Sequence, residues 1–116
     1  SEIINVKADQ VWTRTGIEIE AGDHLVISYL SGRWSPGLYE EVDAIGYGGN
    51  PRSINNVIMG VSHAALIGRI GDHDPFFVGD HFSHTVGESG TLFLGINDTD
   101  LGNNSGSLQI EVEVTK

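Results

Sequence analysis

One segment near the carboxyl end, "INDTDLGNNSGS" (residues 96–107), brings several oxygen-bearing side chains together within a few positions. Asp98, Asp100, Asn103 and Asn104 carry the hard oxygen ligands that calcium takes, and the small residues beside them would let the backbone wrap around an ion. The segment is not an EF-hand, because the alternating ligand spacing and the terminal Glu are missing. The residues alone leave two interpretations open: a calcium site, or a solvated Asp/Asn/Gly turn.

The histidines form no convincing metal or catalytic motif. The pair in "HFSH", His81 and His84, stands three apart in an expected strand, which points the two side chains to opposite faces and argues against a zinc pair. The cluster "GDHDPF" (71–76) is typical of a turn with Asx capping rather than of a general acid–base set. The sequence assigns no role to four of the five histidines: His63, His73, His81 and His84.

The sequence also argues against catalysis. It contains no cysteine and no Gly-x-Ser-x-Gly nucleophile elbow. Paired carboxylates for glycoside cleavage are conceivable at Glu40, Glu41 and Asp43, but these residues fall in a stretch without strand rhythm to hold such geometry. We expect a non-catalytic protein.

Aromatic residues near that stretch have two interpretations. Trp34, Tyr39 and Tyr47 could stack on the apolar face of a sugar, or Trp34 could close one end of the core. Trp12 is ambiguous in the same way, as a core residue or as an exposed platform on an edge.

Composition narrows the classes of partner. The 116 residues suit one domain spanning residues 1–116, and the net charge of −10, from 16 acids and 6 bases, argues against nucleic acids and anionic lipid surfaces. No apolar run approaches the length of a membrane span, and no basic-then-apolar signal segment opens the chain, which starts at Ser1.

The elements that must position these residues are strands. Short runs with period-two alternation, separated by Gly, Asp and Asn, predict strands at 2–8, 11–16, 16–20, 24–32, 64–71, 75–79, 81–86, 90–97 and 107–114. The last run alternates cleanly, with Leu108, Ile110 and Val112 on one face and glutamates opposite. With no helical pattern between strands, the fold class is all-β, an antiparallel β-sandwich of jelly-roll type. Residues 33–60 are predicted to form one long loop.

The oxygen-rich segment and the strand after it resemble the calcium-binding loop and last strand of the bacterial PA-I-like galactophilic lectins. The loop of that family reads Asn-Asp, a short spacer, then Gly-Asn-Asn-Ser-Gly-Ser, as "ND…GNNSGS" does here. Two upstream segments are similar more weakly, "AGDHLVISYLSGRWSPG" and "HAALIGRIG". The resemblance covers most of the chain, but only the loop is specific.

The resemblance implies a calcium ion and a set of ligands. Asp98 would be the bidentate carboxylate, Asn103 and Asn104 would give side-chain oxygens, and Asp100 and Pro36 would give backbone carbonyls. In these lectins the ion binds two vicinal hydroxyls of galactose, and the loop oxygens that correspond to Asp98, Asn103 and Asn104 hydrogen-bond the same hydroxyls.

The sequence departs from the family in three places. The spacer after Asp98 is shorter, and Asp100 stands where the family usually has Thr. The His and Gln that contact the sugar's exocyclic hydroxyl are missing. In "GNPRS" the matching positions offer Asn50 and Ser53 as sugar contacts.

We therefore expect calcium-dependent binding of galactose or galactosides, outside the cell, to glycans or polysaccharide. The chain would act as a homo-oligomeric lectin or as a module tethered to a catalytic domain. The alternative is a structural or adhesive β-sandwich module with a purely structural calcium, appended to a larger secreted protein. A small glycosidase is the third alternative, and would need two carboxylates across a cleft.

Overall fold

The computed structural model describes residues 1–37, 41–48 and 55–116, and these residues form eight strands and no helix. In chain order the strands are β1 (Glu2–Lys7), β2 (Thr13–Ile19), β3 (His24–Ser35), β4 (Leu66–Ile70), β5 (Phe76–Phe77), β6 (His81–Thr85), β7 (Gly90–Ile96) and β8 (Ser105–Thr115). Within the described residues, no helix is long and apolar enough to cross a membrane.

The strands form two four-stranded antiparallel sheets packed face to face. The first sheet has the order β1-β8-β3-β6 and the second the order β2-β7-β4-β5. Successive strands alternate between the two sheets except for β4 and β5, which pair within the second sheet, and this order is that of a jelly roll. The predicted all-β sandwich of jelly-roll type is therefore confirmed.

The core lies between the sheets and follows the period-two pattern. In β8, Leu108, Ile110 and Val112 are buried, while Glu113 on the opposite face is exposed. Leu25 and Ile27 of β3 contribute from the neighbouring strand, and β4 and β7 close the core from the second sheet. Alternate residues point to opposite faces of a strand, so this sequence pattern alone separates core from surface.

The first half of β2 differs from the prediction. Residues 11–16 and 16–20 were predicted as two strands, but they contribute to a single strand whose pairing with β7 shifts register between Arg14 and Glu18. Gly16 lies within the shift and has a φ of 79°. Gly16, at which the two predicted strands meet, therefore marks an irregularity within one strand.

The end of β3 also differs, because residues 33–35 were predicted to be loop and belong to the strand. Trp34 pairs with Gly106 and forms an isolated bridge to Val42. Its side chain is fully buried, and its indole Nε1 donates a hydrogen bond to the carbonyl of Ala64 at 2.9 Å. Trp34 therefore closes one end of the core, the second of the two roles considered for it.

The predicted strand at 75–79 shortens to the two residues of β5. The backbone amides of Val78 and Gly79 both donate to the carbonyl of Leu66, at 3.0 and 3.1 Å. Two amides directed at one acceptor cannot continue a regular ladder, so the chain leaves the sheet there.

Candidate functional site

The oxygen-rich segment forms the connection from β7 to β8, at the end of the sandwich where β3 also finishes. Asp98 lies two residues after the end of β7 and is only 1% exposed. Its Oδ1 accepts a hydrogen bond from the backbone amide of Asp100 at 2.9 Å, which is an Asx turn. The local bend is therefore made by the carboxylate that the sequence predicts as the main ligand.

Asn104 fixes the other side of the connection. Its Nδ2 donates to Asp98 Oδ2 and to the carbonyl of Ala8, both at 2.9 Å. These two acceptors determine which end of the carboxamide carries the nitrogen. The amide oxygen, Oδ1 of Asn104, is left buried without a hydrogen-bond partner.

The register of β3 against β8 brings the Pro36 segment to the same place. Ser35 pairs with Ser105, so Pro36 follows at the level of Asn104, and Pro36 is buried. The next residue, Gly37, touches the Asn103 side chain so closely that a Cβ on the glycine would lie 2.5 Å from Asn103 Nδ2. The structure thus brings the Pro36 segment and the Asn103–Asn104 pair together.

Exposure divides the predicted ligands into two groups. Asp98 and Asn104 form a floor, in which the carboxylate of Asp98 and the amide oxygen of Asn104 are buried. Asp100 and Asn103 are exposed and form a rim. The predicted sugar contacts Asn50 and Ser53, and the candidate residues Tyr39 and Glu40, lie outside the described residues.

Sequence reasoning assigned no role to Asn97, which organises the neighbouring loop. Its fully buried carboxamide accepts from the amide of Ile58 at 2.8 Å and donates to the carbonyls of Ile58, Val61 and Ser62 at 3.1–3.2 Å. Residues 58–62 are therefore held against the residue that precedes Asp98. The available signal was an Asn placed directly after the buried end of β7, where its polar atoms need protein partners.

The histidines stand apart from this site. His63 is buried, with Nδ1 at 2.6 Å from Asn56 Oδ1 and its ring stacked on Tyr47 at 6.3 Å. His73 contacts Glu88 at 2.9 Å on the surface. In β6, His81 lies beside Ser28, whereas His84 packs on the ring of Phe82.

The two β6 histidines therefore face opposite sides of the sheet, as their spacing predicts. Within the described part of the chain, no three or more His, Cys, Asp or Glu side chains come together as a metal-binding group. An ion bound at the β7–β8 connection would therefore need carboxamide and backbone carbonyl oxygens in addition to the carboxylates of Asp98 and Asp100.

The donor set of the connection fits a calcium ion. Calcium accepts carboxylate, carboxamide and backbone carbonyl oxygens in a flexible geometry. The floor holds the carboxylate of Asp98 next to the Asn104 carboxamide, whose Oδ1 is unpartnered. Asp100 is hydrogen-bonded to Asp98 through its backbone amide, and Asn103 lies against Gly37, the residue after Pro36. The unpartnered oxygen is the observation that favours a bound ion over a simple turn, because a solvated turn would leave no buried acceptor unpaired.

Comparison with solved structures adds an independent likeness. The chain is similar to the N-terminal domain of EclA, a PllA-like lectin, with a TM-score of 0.75 and 24% sequence identity. The similarity covers 97% of this chain and 95% of that domain. The chain has the fold of a lectin domain. No family model matches the sequence, and no curated protein matches it. The resemblance to the PA-I-like galactophilic lectins accordingly stays a prediction.

Proposed function

We propose that this protein is a calcium-dependent carbohydrate-binding domain, with galactose and galactosides as its first ligands and no catalytic activity. The observation that carries the proposal is the buried, unpartnered Oδ1 of Asn104 beside the buried carboxylate of Asp98. The shared fold with a lectin domain supports the carbohydrate class.

The floor of the site has more acceptors than donors. Asp98 brings two carboxylate oxygens and Asn104 one amide oxygen, and the described hydrogen bonds to these atoms come from the Asp100 amide and Asn104 Nδ2. A buried acceptor left unpaired costs about 1–3 kcal/mol. A cation would remove that cost for the Asn104 oxygen and would also bind the buried carboxylate of Asp98, whereas one neutral donor would satisfy the Asn104 oxygen alone.

The exposed rim supports a sugar site rather than an ion that the protein closes off. Asp100 and Asn103 are exposed, so the outer side of the connection is open to solvent. A calcium ion bound there would keep outward coordination positions, which two vicinal sugar hydroxyls can take. Asn103, held against Gly37, offers a side-chain amide to the same hydroxyls.

The proposed setting is extracellular, as a homo-oligomeric lectin or as a module beside a catalytic domain. A single site of this kind binds sugar weakly, so either arrangement would raise the apparent affinity for a glycan surface. Analytical ultracentrifugation of the chain with calcium separates the two, since a sedimenting dimer or tetramer supports the first and a monomer the second.

The deciding experiment is calorimetric titration of methyl galactoside with calcium and with excess chelator, alongside thermal unfolding. We expect heat of binding only with calcium, and a calcium-dependent rise in melting temperature. Asp98→Asn should abolish both effects. Asp72→Asn, which removes the same charge from an exposed turn, should leave both intact.

The other outcomes separate the alternatives. A melting temperature that rises with calcium, without sugar binding, would replace the proposal with the purely structural calcium. If neither calcium nor galactoside binds, and calcium leaves the melting temperature unchanged, the β7–β8 connection is only a polar turn.

A further inference from the structure

The outer face of the second sheet carries two aromatic side chains packed against one arginine. The guanidinium carbon of Arg69, on β4, lies 4.9 Å from the ring centroid of Trp12 and 4.7 Å from that of Phe93. Phe93 is the cross-strand partner of Arg69 on β7. The charged group is therefore held between two aromatic rings on the side of the sheet that faces away from the core.

A glycine makes room for this arrangement. At Gly95 of β7, a Cβ would collide with the carbonyl oxygen of Val11 and would lie 3.1 Å from the Trp12 ring. The segment that precedes β2 therefore crosses closely over the sheet at this point, and it carries the indole onto the outer face. Trp12 thus takes the platform role rather than the core role.

A second arginine stands on the other side of Phe93. Arg14 on β2 is the cross-strand partner of Phe93 from that side, and it is exposed. Arg14 and Arg69 thus flank one residue across three adjacent strands, roughly 10 Å apart at the backbone, from the usual spacing of strands. We call Trp12, Arg14, Arg69 and Phe93 the outer-face platform.

Neither arginine is neutralised by another of the residues that the structure describes. The chain has 16 acidic and 6 basic residues, yet neither Arg14 nor Arg69 forms an ion pair with another described residue. Arg69 Nε is buried without a hydrogen-bond partner, whereas its terminal nitrogens are not among the buried unpartnered atoms. The terminal fork of the guanidinium therefore reaches solvent while its stem is clamped.

We propose that the outer-face platform binds an anionic group, a carboxylate or a sulfate, carried by a sugar. A guanidinium fork pairs with such groups through two parallel hydrogen bonds, and stacking on the two rings orders it before the ligand arrives. Arg14 adds a second positive charge within reach of the same sugar residue. An acidic mono- or oligosaccharide suits the site better than a long polyanion, which the net charge of −10 would repel.

Two other occupants fit less well. A second copy of the chain docked symmetrically through this face would bring four guanidinium groups together. An acidic peptide could also supply the carboxylate. We prefer a sugar because the proposed function of the protein is carbohydrate binding, and the choice of ligand rests on that function. The anion site itself does not depend on that function or on calcium.

The test is titration of galacturonate and its short oligomers into ¹⁵N-labelled protein in excess chelator and low salt, followed by the indole N–H signals. The sequence has two tryptophans. We expect the Trp12 signal to shift saturably. The signal of Trp34, which is buried in the core and donates its indole N–H to Ala64, should stay in place. Galactose, sulfated galactose and triglutamate are titrated in the same way.

Variants distinguish bidentate binding by the Arg69 guanidinium from a general attraction between positive charge and an anionic ligand. Arg69→Met keeps an apolar stem between the rings and should weaken binding at least about tenfold, the loss expected for one charge-assisted bidentate contact. Arg69→Lys keeps the charge and should weaken binding too. Arg14→Gln should also weaken binding, because it removes the second positive charge of the platform. Arg33→Gln is its control: it removes the same charge from an exposed position on β3 and should weaken binding less.

Each remaining outcome is decisive. Binding of sulfated galactose but not galacturonate assigns the site to sulfated sugars and keeps the proposal. Equal binding of triglutamate overturns the sugar and leaves a peptide site. No shift of the Trp12 signal with either acidic sugar, or equal losses in the Arg14 and Arg33 variants, overturns the platform as a binding site. Because the chelator is present throughout, failure here leaves the calcium-dependent site untouched.

Discussion

Asn104 donates one amide group to two acceptors from opposite ends of the chain, the carbonyl of Ala8 and the carboxylate of Asp98, each at 2.9 Å. The carboxamide cannot rotate without losing both hydrogen bonds, so its oxygen is held in one direction, buried and unpartnered. The start of the chain after β1 therefore helps to shape a site in which Asn104 lies 96 residues later.

The first prediction concerns Asn104→Asp. Without calcium, the change removes the donor to Ala8 and Asp98 and sets two carboxylates side by side, so the free energy of unfolding should fall by about 2–3 kcal/mol. With saturating calcium the added charge favours the ion, and the deficit should shrink. Urea unfolding in chelator and in calcium measures both values. Asn103→Asp, at an exposed position, is the matched control and should be close to the parent in chelator. An Asn104→Asp protein of parental stability in chelator would contradict this account.

The second prediction concerns Asn97→Ala. The change leaves the Ile58 amide and the carbonyls of Ile58, Val61 and Ser62 without their buried partner, and should lower the free energy of unfolding by about 3 kcal/mol. The amide of Ile58 should also exchange with deuterium much faster than in the parent. Asn5→Ala, an exposed asparagine on β1, should cost far less. Equal costs for the two variants would show that the Asn97 network does not hold the 58–62 loop.

The third prediction separates contact from backbone strain at Gly37. Gly37 has a φ of 132° and lies against Asn103, whereas Gly48 has a φ of 69° and has no atom within 4 Å of the position a Cβ would take. Both Gly→Ala changes should destabilise the fold, because positive φ disfavours side chains. Only Gly37→Ala should also displace Asn103 and weaken calcium binding, measured by calorimetry. Equal calcium affinities in the two variants would remove Asn103 from the ligand set.

The fourth prediction concerns pH. The hydrogen bond from Lys116, at 2.8 Å, lowers the pKa of Asp23, and the backbone amide of Glu20 lowers it further. A carboxyl whose pKa is lower in the folded state stabilises the fold above its unfolded pKa of about 3.9, and loses that contribution as the pH falls towards the folded value. The parent should therefore be more stable than Asp23→Asn at pH 7, and the difference should diminish below about pH 4.

Urea midpoints of the parent and Asp23→Asn at pH 7, 4 and 3 measure this difference. Lys116→Gln removes the same ion pair from the other side and should show the same trend. A difference that stays constant with pH would mean that the carboxylate charge of Asp23 does not contribute.

The sequence by itself determined the strands and the character of the fold. Period-two alternation in β8 separates Leu108 and Ile110 from Glu113, and glycine-rich turns separate most of the other strands, so an all-β sandwich followed from local patterns. It also placed Asp98, Asp100, Asn103 and Asn104 on one connection, because ligands that are close in the chain stay close in the fold.

Only the tertiary structure decided which of these groups are buried and what they meet. The pairing of Ser35 with Ser105 brings the Pro36 segment to Asn104, and the close crossing at Gly95 puts Trp12 over Arg69. Both depend on the register between strands distant in sequence, which short-range periodicity does not encode. The unpartnered oxygen of Asn104 arises in the same way, since the acceptor that orients its amide, Ala8, lies 96 residues away and reaches it only when the sheet is assembled.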